Sequence, residues 1–366
     1  MKNKKGKEMK RICFFIGNMS HSGGTERATS GLANKLSNCE GYQISILSLV
    51  DGLEPFFDLD SKINLFSLYE KKISFKKNFF QTVLKIRKFI KEHNIETLVV
   101  VDSISCMFTV PALYNLKVKH ICWEHFNFIN NNGVRFREIG RKWAAKYCDY
   151  VVTLTNRDKS LWNNRLEIIN AEIVSIANPT FYENIENEPR LDFKRLLSIG
   201  HLREVKGFDL LIQAWSKVCV SNSDWVLRIV GSGEDEKYLK DYAKKLKIYE
   251  RIEFVSATKK IEQHYEESSF YCLSSRFEGL PMVLLEAQAF GLPIIAFNCD
   301  TGPSDVIEDK KNGWLVENGN VDKLAKNIEM AMGVYQNEYA DLSRSAKQSS
   351  LRFSINTISK EWLKIL

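Results

Sequence analysis

Short apolar runs alternate with longer stretches of helical period along the whole chain. In the first half the apolar runs fall at 11–16, 43–49, 63–68, 97–101, 119–123 and 150–154. They are rich in Val, Ile, Leu and Phe and are continuous rather than alternating. Such runs fit strands buried on both faces, as in a parallel sheet. Helical period returns between them, at 25–38 and 78–93. The second half repeats the plan, with strands expected at 195–199, 226–230, 252–255, 270–273, 294–297 and 314–316. Its helices are expected at 208–220, 234–246, 281–290 and 321–336. Strand following helix in this way implies parallel strands joined by crossovers.

The 366 residues exceed one ordinary domain, and about 150 residues per domain gives two. The stretch 177–193 is polar, acidic and broken by Pro179 and Pro189, so residues 181–192 are expected to be a linker. The fold class is therefore α/β: two Rossmann-like domains, 1–180 and 193–366, facing each other across a cleft. Ligands of such sheets bind beyond the carboxyl ends of the strands.

Composition narrows this picture. With 44% hydrophobic and 27% charged residues the chain is globular rather than disordered. It has no apolar run of about 18 residues that would span a membrane. Its Lys-rich start lacks the apolar core of a secretory signal. The net charge of +7 is lopsided: residues 1–185 hold 27 basic against 18 acidic side chains, and the remainder holds 25 against 27. A basic half suits nucleic acid, an anionic membrane or a phosphorylated ligand. The eight cysteines show no C-x-x-C pair and no zinc-finger spacing, so they read as buried free thiols of a cytoplasmic protein.

Three segments carry candidate chemistry. In FEGLPMVLLEAQAFGL, residues 277–292, Glu278 precedes a helix expected to open at Pro281, and Glu286 lies on its second turn. At 1.5 Å per residue the carboxylates stand roughly 10 Å apart, too far for a glycosidase pair. Between them the free amides of Gly279, Leu280, Met282 and Val283 form an anion site. Carboxylate, anion site, carboxylate suits a sugar nucleotide, although an ordinary helix with two solvated glutamates has the same pattern. In IGHLREVKGFD, residues 199–209, a turn between Gly200 and Gly207 carries His201, Arg203 and Lys206 between a strand and a helix. That is either a phosphate clamp or a solvated basic turn. In GNMSHSGGTER, residues 17–27, Gly23 and Gly24 allow close backbone approach before a helix, or simply make a flexible turn.

Taken together with TGPSDVI, residues 301–307, these segments resemble the family 4 glycosyltransferases, retaining enzymes of the GT-B fold. The likeness runs through GGTER, GHLREVKGFDLLIQAW and FEGLPMVLLEAQAFGLPIIA, nearly the whole chain. It implies an N-terminal acceptor domain, a C-terminal nucleotide-sugar domain, and a last helix crossing back to the N-terminal one. It implies that Glu286 binds the donor ribose, that Glu278 contacts the donor sugar, and that Lys206 neutralises the leaving diphosphate. The arginine usual after the first glycine of the basic turn is replaced by His201, and Arg203 stands as its substitute. Gly23 and Gly24 would approach the donor phosphate. His125, in CWEHFNF, would lie near the donor sugar, unless it is a core histidine. Gly231 and Gly233 of VGSGED would turn near the nucleotide.

The resemblance further implies a metal-independent hexosyltransferase that needs no cofactor. Its donor would be a nucleotide-sugar, a UDP-sugar. Its acceptor would be a growing glycan of the capsule or lipopolysaccharide kind, lipid-linked in some relatives. Asp58 and Asp60 form a DxD string far from the clamp and are not expected to bind metal. The segment 71–91 holds eight basic residues and no acid. Its Phe79, Val83, Ile86 and Ile90 share one face. That face should pack on the sheet and leave the lysines in water, or the helix lies on an anionic membrane at the inner face of the plasma membrane. Three other functions are weighed: a hydrolase or epimerase of the same fold, a non-catalytic nucleotide-sugar-binding protein, and a nucleic-acid module. The last lacks basic-aromatic interleaving and a helix-turn-helix signal, so no nucleic-acid partner is expected.

Overall fold

The computed structural model describes residues 9–131, 133–183, 185–186, 188–258 and 260–366. Most of the Lys-rich start, and positions 184 and 187 of the expected linker, lie outside the described residues. The chain divides into two compact units, Met1–Pro179 with Ile355–Leu366, and Thr180–Ser354.

The N-terminal unit runs β1 (Lys10–Ile16), α1 (Gly24–Ser37), β2 (Tyr42–Ser48), β3 (Asn64–Ser67), α2 (Phe75–Glu92), β4 (Thr97–Val101), α3 (Cys106–Leu113), β5 (Lys119–Trp123), α4 (Phe136–Tyr147), β6 (Tyr150–Thr153), α5 (Asn156–Arg165) and β7 (Glu172–Ser175). Its strands form one parallel sheet in the order β3-β2-β1-β4-β5-β6-β7. The C-terminal unit runs β8 (Arg195–Ile199), α6 (Phe208–Val218), β9 (Val226–Val230), α7 (Glu236–Lys245), β10 (Ile252–Val255), α8 (Glu262–Glu266), β11 (Phe270–Leu273), α9 (Met282–Ala289), β12 (Ile294–Asn298), α10 (Pro303–Val306), β13 (Gly313–Glu317), α11 (Val321–Met332) and α12 (Gln336–Ser350). Its sheet is also parallel, in the order β10-β9-β8-β11-β12-β13. The final helix, α13 (Ile355–Ile365), belongs to the N-terminal unit, where Trp362 packs edge-on against Trp123 at 4.8 Å.

Every strand expected from the apolar runs forms. Their continuity has the cause assigned to it: β4 is buried at all five positions, and β1 at its last five. Each sheet reverses its order of addition once, between β1 and β4 and between β8 and β11. At such a point the loops leaving neighbouring strands turn opposite ways and open a crevice. Two expectations shift. The helical period at 321–336 is two helices, because α11 stops at its C-cap Gly333 and α12 restarts at Gln336. The helix expected from Pro281 begins one residue later, with Pro281 as its N-cap.

Described residues of the expected linker pack on the C-terminal unit. The Tyr182 ring meets Phe290 edge-on at 4.9 Å, its hydroxyl donates to Glu262 at 2.8 Å, and Ser269 Oγ donates to the Arg190 carbonyl.

Candidate active site

In the C-terminal unit the crevice is built by the loop after β8 and the loop after β11. Gly207 closes the first loop at φ +64, a conformation glycine adopts without strain. A Cβ there would stand 2.0 Å from the Ser274 carbonyl oxygen, so only glycine lets the two loops meet. They are then stitched together: Arg276 N donates to the Val205 carbonyl at 2.8 Å, and Ser274 Oγ to the Lys206 carbonyl at 3.1 Å. The Arg276 guanidinium binds the Glu204 carbonyl and clasps Asp209 through two bonds of 2.8 and 2.7 Å. This holds the Asp209 carboxyl below its usual range against the burial that would raise it.

That stitching brings Lys206 and Glu278 together. Lys206 Nζ lies 2.7 Å from Glu278 Oε1, with the carboxylate 8% and the ammonium 28% exposed. Glu278 is fixed from behind as well, since Thr301 Oγ1 donates to its carbonyl at 2.6 Å. Glu286 lies on α9, is 2% exposed, and accepts from the Tyr265 hydroxyl at 2.7 Å. Neither glutamate is the solvated side chain of an ordinary capped helix. Between them α9 starts at Pro281 without a side-chain cap, leaving the first-turn amides of Met282 and Val283 without intrahelical acceptors. Gly279 and Leu280 lie in the turn leading into it. The unit thus offers a cation, a helix start and two fixed carboxylates in one place.

Other predicted residues are placed differently. Arg203 binds Glu234 at 2.9 Å at the surface, so its guanidinium is paired in this structure rather than grouped with Lys206. His201 borders Gly233: a Cβ on that glycine would meet His201 Nδ1 at 2.6 Å and the Leu202 carbonyl at 2.3 Å. A Cβ on Gly231 would lie 1.9 Å from the Gly200 carbonyl. Backbone packing between the loops after β8 and β9 therefore explains both glycines.

In the N-terminal unit, Gly23 is the N-cap of α1, and Glu26 folds back on it. Burial raises the Glu26 pKa, while hydrogen bonds from its own amide and that of Gly23 lower it. The anion site expected at Gly23 and Gly24 thus holds the chain's own carboxylate. His125, two residues past β5, is buried against Trp123 at 4.5 Å. Its Nε2 has no hydrogen-bond partner, and burial lowers its pKa to about 3, so the imidazole is neutral. Asp60 accepts from Asn38 Nδ2 and from the Lys62 amide, both at 2.9 Å, and so anchors a local turn.

A buried charge network beside His125 was not legible in the sequence. Asp102 follows β4 at φ +77, a strained conformation for a residue with a side chain. It accepts from Arg137 at 2.6 Å, and Glu124 accepts from Arg141 at 3.3 Å and from Ser103 at 2.5 Å. Burial, with the neighbouring Glu124 charge, raises the Asp102 pKa against the pull of Arg137. Asp and Arg residues scattered from 102 to 141 have no spacing that announces their meeting; only the ends of β4 and β5 bring them together.

Comparison with known proteins agrees with this architecture. Residues 22–180 match the model described as Glycosyltransferase Family 4, and residues 182–349 the model described as Glycosyl transferases group 1. An uncharacterized glycosyltransferase of Haemophilus influenzae is 40% identical, covering 98% of this chain and 100% of that protein. The amylovoran biosynthesis glycosyltransferase AmsD of Erwinia amylovora is 30% identical over 98% and 100%. The Campylobacter jejuni enzyme named GalNAc-alpha-(1->4)-GalNAc-alpha-(1->3)-diNAcBac-PP-undecaprenol alpha-1,4-N-acetyl-D-galactosaminyltransferase is 28% identical over 98% of each chain. Among solved structures, Staphylococcus aureus TarM in complex with UDP superposes with a TM-score of 0.80, at 14% identity, covering 98% of this chain and 99% of that one. With both halves matched and a full-length relative at 40% identity, the chain belongs to the family 4 glycosyltransferases and has their GT-B fold.

Proposed function

We propose that the protein is a retaining, metal-independent hexosyltransferase of bacterial surface-polysaccharide assembly. It moves a hexose or N-acetylhexosamine from a UDP-sugar to a growing, lipid-linked glycan. The observation that carries the reading is the Lys206–Glu278 pair beside the uncapped start of α9, with Glu286 buried on the same helix. Lys206 and the α9 amides supply the positive field that stabilises a leaving diphosphate, the role a divalent ion plays elsewhere. Glu286, fixed by Tyr265, accepts from ribose hydroxyls, and Glu278 from the hydroxyls of the donor sugar. In the N-terminal unit His125 offers a neutral ring nitrogen, and the backbone at Gly23 and Gly24 becomes available to a phosphate once the Glu26 carboxylate leaves it. The Erwinia and Campylobacter relatives, named as an amylovoran biosynthesis enzyme and as one acting on an undecaprenol-linked glycan, support the acceptor class.

The lipid-linked acceptor has support on α2. Its expected apolar face packs inward: Ile86 and Ile90 are buried, and Phe79 and Val83 border the same core. On the opposite side Phe80 and Leu84 are 81% and 66% exposed, between the exposed Lys77, Lys88 and Lys91. Two apolar side chains set among cations suit the interface of an anionic bilayer. Among the described residues no helix is long and apolar enough to cross a membrane. On the strength of this α2 surface we propose a peripheral enzyme at the inner face of the plasma membrane.

The test is a panel of nucleotide-sugars assayed for nucleotide release with and without a lipid-linked acceptor extract, with EDTA present, and NMR of the product anomer. Acceptor-dependent transfer with retained configuration is expected. Release at full rate without acceptor would favour the hydrolase reading, and an inverted product would refute retention.

A further inference from the structure

Three cysteines and a histidine that are far apart in sequence meet inside the N-terminal unit. His120 and Cys122 alternate on β5 and so share one face of the sheet. Cys106 is the first residue of α3, and Cys148 is the C-cap of α4. All four are 5% exposed or less. Cys106 Sγ lies 4.0 Å from Cys148 Sγ, and Cys148 Sγ lies 3.5 Å from His120 Nδ1. The Cys106, His120 and Cys148 donor atoms all fall within 4.8 Å of one another.

These spacings can be compared with a coordination polyhedron. A tetrahedral zinc with Zn–S of about 2.3 Å and Zn–N of about 2.0 Å has S···S edges of about 3.8 Å and S···N edges of about 3.5 Å. The observed edges are 4.0 and 3.5 Å. Thr109 Oγ1 stands 3.0 Å from His120 Nε2. A hydroxyl placed there can accept the Nε2 proton and leave the Nδ1 lone pair facing the thiols, the outer-shell arrangement that metal-bound histidines use.

We propose that Cys106, Cys148 and His120 Nδ1 bind one Zn²⁺, and that Cys122, which stands outside this three-atom set, moves in as fourth donor to complete a structural site. Two thiolates balance the ion's charge inside an apolar core, and the positive start of α3 offsets a third. Binding forms the Zn–S bonds as the thiol protons leave to solvent, with no change in oxidation state. The ion would tie β5 to α3 and α4 just before the chain reaches His125. It takes no part in transfer, so the proposal is independent of the diphosphate chemistry above.

The experiment is elemental analysis of the full chain purified from zinc-supplemented cells without chelator, together with the absorption spectrum of protein refolded in Co²⁺. About one zinc per chain is expected, along with thiolate-to-cobalt charge transfer and the visible bands of a tetrahedral site. Cys106→Ala and Cys148→Ala should each lower the metal content to less than about a tenth of an equivalent. Cys272→Ala should not, since Cys272 lies on β11 in the C-terminal unit, outside the cluster. Absence of metal together with a cobalt spectrum lacking charge transfer would overturn the proposal. So would a Cys106–Cys148 disulfide in the non-reduced peptide map. Should the cluster variants fail to fold, the metal content and cobalt spectrum of the unmodified chain decide the matter.

Discussion

In the proposed function Lys206 has two roles, and one substitution separates them from a simple loss of fold. In the absence of ligand it neutralises Glu278 at 2.7 Å, with the carboxylate only 8% exposed. At an effective dielectric near 20 that attraction is about 6 kcal/mol before desolvation is subtracted. Breaking a fully buried pair costs about 3–5 kcal/mol and an exposed one less than about 1. With the ammonium 28% exposed, a net cost of about 2 kcal/mol is expected for Lys206→Met. In a unit the size of Thr180–Ser354 that lowers the thermal midpoint by about 4–8 °C. Loss of the cation facing the diphosphate should cut turnover about 10²–10³-fold, far more than the fall in stability explains at the assay temperature. Glu278→Gln behaves oppositely toward nucleotide. It removes the charge that competes for Lys206, so UDP should bind about fivefold tighter, near 1 kcal/mol, while transfer collapses. Calorimetric titration with UDP and steady-state transfer on the same folded samples measure both. A folded Lys206→Met enzyme with unchanged turnover and unchanged UDP affinity would refute the diphosphate assignment. A Glu278→Gln enzyme with full transfer would refute the sugar contact.

The other predictions concern positions whose surroundings are equally explicit. Gly207→Ala places a methyl 2.0 Å from the Ser274 carbonyl at φ +64, and should cost about 3 kcal/mol or more in denaturant unfolding; an unchanged midpoint would mean the loops are not stitched as described. Tyr265→Phe removes a hydrogen bond to the buried Glu286 and should cost about 1.5–3 kcal/mol, seen first as weaker nucleotide binding with turnover at saturation preserved. His125 has its pKa lowered to about 3 from 6.5 by burial. As pH falls below 6.5 the unfolded chain takes up that proton and the folded chain does not, so stability is lost on acidification, by about 2–3 kcal/mol at pH 4.5. His125→Phe should lack this loss, and comparison of the two proteins across pH cancels the opposite contribution of Asp102, whose raised pKa favours the fold as pH falls. Parallel unfolding curves would contradict a buried neutral imidazole. Phe80→Ser with Leu84→Ser should reduce co-sedimentation with anionic vesicles while leaving transfer to a soluble acceptor intact; equal sedimentation of both proteins would dismiss α2 as a membrane contact.

What the sequence made legible, and what it did not, follows from where the chemistry's partners lie. Strands buried on both faces announce themselves, because every position must be apolar; β4, all Leu, Val and Thr, is such a strand. The edge strand β7, Glu172–Ser175, was missed because it needs apolar residues on fewer positions, and only Ile173 is buried. Helix α5 was missed likewise, since only Asp158, Leu161 and Trp162 are buried along it. Glu278, Glu286 and Lys206 stand out in the sequence through the Gly- and Pro-punctuated segments that carry them, although their contacts are not local: Lys206 meets Glu278 from the loop after another strand, and Tyr265 reaches Glu286 from α8. The pairing of Arg203 with Glu234, on the loop after another strand, is not legible, because nothing in a turn of basic residues tells which cation is already paired. The Cys106, His120, Cys122 and Cys148 cluster was invisible for the same cause. Metal spacing in sequence reflects ligands on one short hairpin or knuckle, whereas these come from two helix ends and one strand face, and parallel pairing sets them side by side. In each half, then, the residues that fold the chain are encoded locally, while much of the polar chemistry is assembled by neighbouring strands across the sheet. That is why the turn carrying Lys206 stands out in the sequence while the Asp102 network does not. The turn is one contiguous segment, 199–209; the network exists only once β4 and β5 lie adjacent.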